Sequence, residues 1–145
     1  EMSKVPAHWE LMPDIVKFIH AQTTPEHRPL IVGNGDVLTV TEGNKKTSTT
    51  RCDGIMIGRG VFQNPWVFSK EATMEHTIQE KAQLLLLHAQ TYEKYFTGIK
   101  PFEPLKRFYK IYMSGFDSAA EIREELYTAK TSAEIKTVLE SHHLI

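Results

Sequence analysis

The sequence predicts an α/β region followed by an all-α region. Up to about residue 70 the apolar spacing alternates between helix and strand periods, in the order α-β-α-β-α that builds a parallel sheet. Beyond it, three hydroxyl-x-x-Glu signatures mark helix starts and no strand pattern recurs. Within the first region lie the most unusual residues of the chain, short apolar runs that empty into glycine turns.

In chain order, Leu11 to Ala21 is apolar at 11, 12, 15, 16, 18 and 19, which predicts an amphipathic helix. Leu30-Ile31-Val32 reads as a strand closed by Gly33-Asn34-Gly35-Asp36. Residues 39–51, TVTEGNKKTSTTR, offer little apolar stripe beyond Val40 and predict a poor helix or a partly mobile loop. Gly54 to Ile57 is the second strand, closed by Gly58-Arg59-Gly60, and Asn64-Pro65 looks like the start of another helix. Thr77 with Glu80, Ser118 with Glu121 and Thr131 with Glu134 each fit a capping box. Ile78, Ala82, Leu85, Ala89, Tyr92 and Phe96 step along one helix face, with Gly98 as its stop. A second helix after Pro104 would bury Leu105, Phe108, Tyr109 and Tyr112. Helices near 118–129 and 132–142 complete a small four-helix domain over residues 71–145, after an α/β part over residues 1–70.

Composition narrows the function classes. The 145 residues are 41% hydrophobic with a formal net charge of −1, so any nucleic-acid contact would be a local patch rather than a whole-chain field. One cysteine, Cys52, excludes an internal disulfide framework, and no Cys/His spacing resembles a zinc site; no metal is expected. The longest apolar run, Leu84 to Leu87, is far too short to cross a bilayer, and Glu1-Met2-Ser3-Lys4 has no apolar leader. A cytoplasmic location is the expectation.

Asn34 and Gly58 stand 24 residues apart, about one β/α unit, so their turns should open side by side at the carboxyl edge of the sheet. That edge is where parallel α/β proteins bind ligands. Glycine backbone there approaches a phosphate without obstruction, and Arg59 would add a charge-assisted hydrogen bond. Two readings stay open: glycine also ends strands wherever a tight connection needs positive φ, and Asp36 suits a helix N-cap or a partner to a cation better than a phosphate ligand.

IVGNGDV followed one unit later by CDGIMIGRGVFQNPWVF resembles strands seven and eight of the tRNA-dihydrouridine synthases, and the tail with LKRFYKIYM resembles their RNA-facing helical domain. The resemblance spans essentially the whole chain. It implies the C-terminal part of a TIM (β/α)8 barrel that binds FMN and uses NADPH to reduce the C5–C6 double bond of uridines in tRNA. On that resemblance Asn34, Gly35, Asp36, Gly58 and Arg59 line the phosphate and ribityl end of FMN. The family's catalytic cysteine belongs upstream of the region matched here. Cys52, just before the second strand, is read as a small buried hydrophobe. Arg51 departs from the family, which often has glycine before Cys-Asp-Gly. Other enzymes in view are FMN barrels of the dihydroorotate dehydrogenase type; a non-catalytic RNA module is the non-enzyme reading.

Residues 71–145 hold nine Lys or Arg against eleven Asp or Glu, yet Lys100, Lys106, Arg107 and Lys110 cluster around Glu103 alone. On a continuous helix, Lys106, Arg107 and Lys110 fall opposite the apolar face, suited to the phosphates of a folded RNA; a solvated helix face is the plainer reading. The tRNA partner follows from the resemblance. Phe108 stands where the family often has histidine and is expected to pack in the core, as are Tyr92 and Phe96. Two strands cannot close a barrel, so this stretch alone is expected to be inactive and to self-associate through open strand edges.

Overall fold

The computed structural model describes residues 5–145; Glu1–Lys4, the stretch read as lacking an apolar leader, lie outside the described residues. The chain forms two compact units, Glu1–Thr73 and Met74–Ile145. The structure is mostly helical, with one two-stranded parallel sheet among the described residues.

In the first unit, a 3-10 turn over Trp9–Leu11 leads into α1, Met12–Ala21, with proline in its first turn. The strands are β1, Val32–Asn34, and β2, Gly54–Met56, paired in parallel with Val32 opposite Gly54 and Asn34 opposite Met56. The first strand thus begins two residues later than Leu30. Asp53 accounts for the shift: its carboxylate accepts from Ile31 N at 2.8 Å while its own N–H donates to Ile31 O at 2.8 Å, which occupies the backbone just before the ladder. Arg28 braces the same carboxylate at 3.1 Å, and Leu30 is left 80% exposed.

Residues 39–51, expected to be a poor helix or mobile, form a regular helix, α2, over Val40–Thr50. Thr39 Oγ1 accepts from Glu42 N at 3.1 Å, satisfying one early helix N–H, and Glu42 Oε2 accepts from Leu38 N, just before the cap, at 3.1 Å. The N-cap is therefore Thr39, and Asp36 has no capping role. The helix lacks an apolar stripe because Gly43 and Thr50 are the residues it buries, Gly43 against Ile55 and Val37. Thr47 and Thr50 hydroxyls fold back onto the carbonyls of Gly43 and Lys46, at 3.0 and 2.8 Å, so the inward face buries hydroxyls that are already bonded. Thr50 Oγ1 also lies 3.0 Å from the Sγ of buried Cys52, which matches the reading of that cysteine as a small core residue. After β2 comes one helical turn, α3, Gly60–Gln63. Asn64-Pro65 follows this turn instead of opening a helix: Asn64 Oδ1 accepts from Trp66 N and its Nδ2 donates to Ala72 O, closing a run of turns.

The second unit is wholly helical among the described residues. The long helix α4, Ile78–Phe96, begins with the capping box expected at Thr77 and Glu80, both halves of which form. Its Ala82, Leu85 and Ala89 are buried, and α6 and α8 pack on it. The single helix expected after Pro104 is broken into α5, Glu103–Lys106, and α6, Tyr109–Tyr112, each one turn long. Both Leu105 and Tyr109 are nevertheless at zero exposure, as a continuous helix would also have placed them. Helix α7, Ala119–Thr128, has no side-chain cap. Ser118 lies in the left-handed region at φ 62°, so the capping box read there does not form. Helix α8, Ser132–Ser141, is capped by Thr131, whose hydroxyl accepts from Glu134 N at 3.2 Å. The core of this unit joins Leu85, Leu105, Tyr109, Met113, Leu126, Ile135 and Leu139, with Tyr92 and Phe108 packed against it as expected.

Candidate functional site

Because β1 and β2 are parallel and in register, the turns that follow them emerge side by side. Asn34, Gly35, Asp36, Gly58 and Arg59 all line one cavity of about 480 Å³, together with Val37, Leu38, Met56 and Gln63. The five residues singled out from sequence are therefore neighbours in space. The other four were not singled out from sequence, since nothing in their residue types marks them as lining a site.

The geometry of the two turns is set by close approaches. Gly35 sits at φ 134°, and a Cβ there would stand 2.6 Å from the Cβ of Ala7. Gly60, the first residue of α3, lies so near β1's following loop that a Cβ would meet Leu38 O at 2.9 Å. Gly58, by contrast, has nothing within 4 Å of the Cβ position and leaves open backbone beside the cavity. Trp9 braces the first turn from outside. Its Nε1–H donates to Gly35 O at 2.9 Å, the ring lies against Gly33, and Lys46 covers it at 4.7 Å. Spacing along the chain gave no hint of Trp9 or Ala7, because both act across more than 25 residues.

Charge is concentrated in one pair. Arg59 Nη2 donates to Asp36 Oδ1 at 2.8 Å, and the second oxygen of Asp36 accepts from Ala7 N at 2.8 Å. Asp36 is thus the partner of a cation, one of the two roles read for it from sequence. A guanidinium carries five N–H donors, so this contact leaves others for an anion. The Arg59 side chain is 58% exposed and lines the cavity.

In the second unit the cluster Lys106, Arg107 and Lys110 is differently disposed from the single exposed face expected. Lys106 Nζ lies 3.4 Å from Glu103 Oε1, and its side chain is only 19% exposed. Glu103's own backbone N–H, and then Lys106, hold its carboxyl below the usual range. Arg107 lies over the Phe108 ring at 4.6 Å and, with Lys110, is exposed. The break between α5 and α6 interrupts the helical register that would have aligned all three. Among the described residues no group of three metal-ligating side chains forms, and no helix is long and apolar enough to cross a membrane.

A two-stranded parallel sheet with helices around it, and a cavity at the carboxyl ends of its strands, is the architecture of the α/β class. Within that class the chain belongs to the Dihydrouridine synthase family, which it matches over residues 12–144. It is 41% identical over 141 residues to "Probable tRNA-dihydrouridine synthase 2" of Bacillus subtilis (strain 168), with 97% of this chain aligned. It is 40% identical to "Probable tRNA-dihydrouridine synthase" of Staphylococcus aureus (strain MRSA252), and 39% identical to the Staphylococcus epidermidis (strain ATCC 12228 / FDA PCI 1200) protein of that name, again over 97% of the chain. The chain spans 42% of the length of each of these curated relatives.

Proposed function

We propose that the chain is the C-terminal part of a cytoplasmic, flavin-dependent tRNA-dihydrouridine synthase. Residues 1–70 contribute the last strands of an FMN-binding (β/α)8 barrel, and residues 71–145 form its tRNA-binding helical domain. The observation that carries this reading is the shared cavity, where Arg59 and the open backbone of Gly58 face Asn34 and Gly35. These residues fit the phosphate end of FMN: a phosphate monoester needs a cation and unobstructed N–H groups, and both are at hand. When bound, FMN supplies the hydride chemistry that takes reducing equivalents from NADPH to the C5–C6 bond of uridine. The chain's own part is to seat the phosphate and so fix the distance from the cavity to the ring. Catalytic groups belong to the rest of the protein.

The test is Arg59→Ala in the full-length protein. Losing one charge-assisted hydrogen bond of about 1.5–3 kcal/mol weakens FMN binding roughly 10- to 150-fold. Fluorescence titration of the stripped protein reads it directly. Unchanged FMN affinity removes Arg59 from the site.

A further inference from the structure

We propose that Asp36 is a positioning residue, holding the Arg59 guanidinium in place to receive the flavin phosphate. The inference rests on the FMN reading above and deepens it. A carboxylate beside a phosphate site is at first sight a liability, since the two anions repel. Here both carboxylate oxygens are engaged, Oδ1 by Arg59 and Oδ2 by the Ala7 N–H, each at 2.8 Å. The carboxylate is also fixed by its own backbone. Asp36 lies in the left-handed region at φ 50°, and the preceding Gly35 is pressed against Ala7 and tied through its carbonyl to Trp9.

Asp36 is therefore the rigid member of the pair and Arg59 the mobile one. A long, largely exposed arginine samples many rotamers, and ordering it at the moment of binding lowers affinity. A fixed carboxylate on one corner of the guanidinium removes much of that freedom in advance while the remaining N–H groups stay available. Asp36 touches the phosphate only through Arg59.

Asp36→Asn in the full-length protein separates this role from a structural one. Asparagine tolerates the left-handed backbone and keeps an oxygen for Ala7 N–H, but loses the charge that holds Arg59. The stripped protein is titrated with FMN and with riboflavin, which lacks the phosphate. The expected result is about tenfold weaker FMN binding with riboflavin binding unchanged, and no further loss when Asp36→Asn is added to Arg59→Ala. Unchanged or tighter FMN binding overturns the proposal, because Asp36 then merely opposes the anion. Equal weakening of both flavins overturns it too, since that is the mark of a disturbed fold. A parent protein that binds FMN and riboflavin alike instead removes the phosphate reading itself.

Discussion

The two units reach stability by different means. In the second, side chains from α4, α5, α6, α7 and α8 converge on one continuous apolar core, with Leu85, Leu105, Leu126, Ile135 and Leu139 at zero exposure. In the first, the buried apolar residues are few and small, chiefly Val16, Val37, Cys52 and Val67, while Phe18, Leu30, Val32, Met56 and Phe68 stand exposed. What fixes the first unit is polar and geometric: Asp53 on Ile31, Trp9 on Gly35, hydroxyls returned to their own helix. Side-chain burial makes a scaffold, whereas directional hydrogen bonds make a place. The unit with the candidate cavity is the one held by bonds.

The contrast breaks first at the core of the second unit. Leu126→Ala should cost about 2–5 kcal/mol there, read from its own urea transition. Hydrogen exchange should show the amides of β1 and β2 unaffected, and simultaneous opening of both units would end the claim that they are separately stabilised. Next, replacing Lys106, Arg107 and Lys110 by alanine in the full-length protein should lower tRNA affinity. The log–log salt dependence should flatten by about one for each phosphate no longer neutralised, with FMN binding unchanged. Equal slopes would leave the second unit a scaffold only.

Smaller effects sharpen the comparison. Arg51 caps α2 at φ 61°, a conformation that burdens any residue with a Cβ. Arg51→Gly should therefore stabilise the first unit by about 0.5–1 kcal/mol, the strain relieved exceeding the added freedom of the unfolded glycine; thermal melting measures it. Smallest is a pH effect in the second unit, where desolvation lowers the His88 pKa beside Tyr112 and Phe108. The unfolded chain then binds the proton more readily, so stability present at neutral pH declines as the pH falls through about 6.5. His88→Gln should flatten that part of the pH profile of the denaturation midpoint.

Where side chains repeat at a regular interval, the fold was legible. The face of α4 and the capping at Thr77 and Thr131 follow from spacing, because a helix brings residues three and four apart together whatever surrounds it. The pairing of the two glycine turns was legible for the same reason, one β/α unit returning the chain to the same sheet edge. Helix α2 was not, because its inward face is Gly43 and Thr50, which look like surface until β2 is laid beneath them. Nor was the break between Lys106 and Tyr109: Leu105 and Tyr109, four residues apart, would share a buried face on a continuous helix as well, so periodicity carries no mark of the interruption. Ser118 shows the limit of a four-residue motif: a left-handed backbone turns its hydroxyl away from the N–H it would have capped. In the cavity, the arginine and glycines announced themselves by type, whereas Trp9 and Ala7 act through a carbonyl and an N–H and leave no trace in composition.

Cys52 gives the contrast between the units a built-in gauge. It is the single thiol of the 145 residues, and it is buried in the unit held by polar bonds. Its rate of reaction with a thiol reagent therefore counts the openings of that unit alone, against a silent background from the helical one. Any ligand that fills the cavity between Asn34 and Arg59 should slow that reaction in proportion to its occupancy, so one sulfur reports both how often the first unit opens and what keeps it shut.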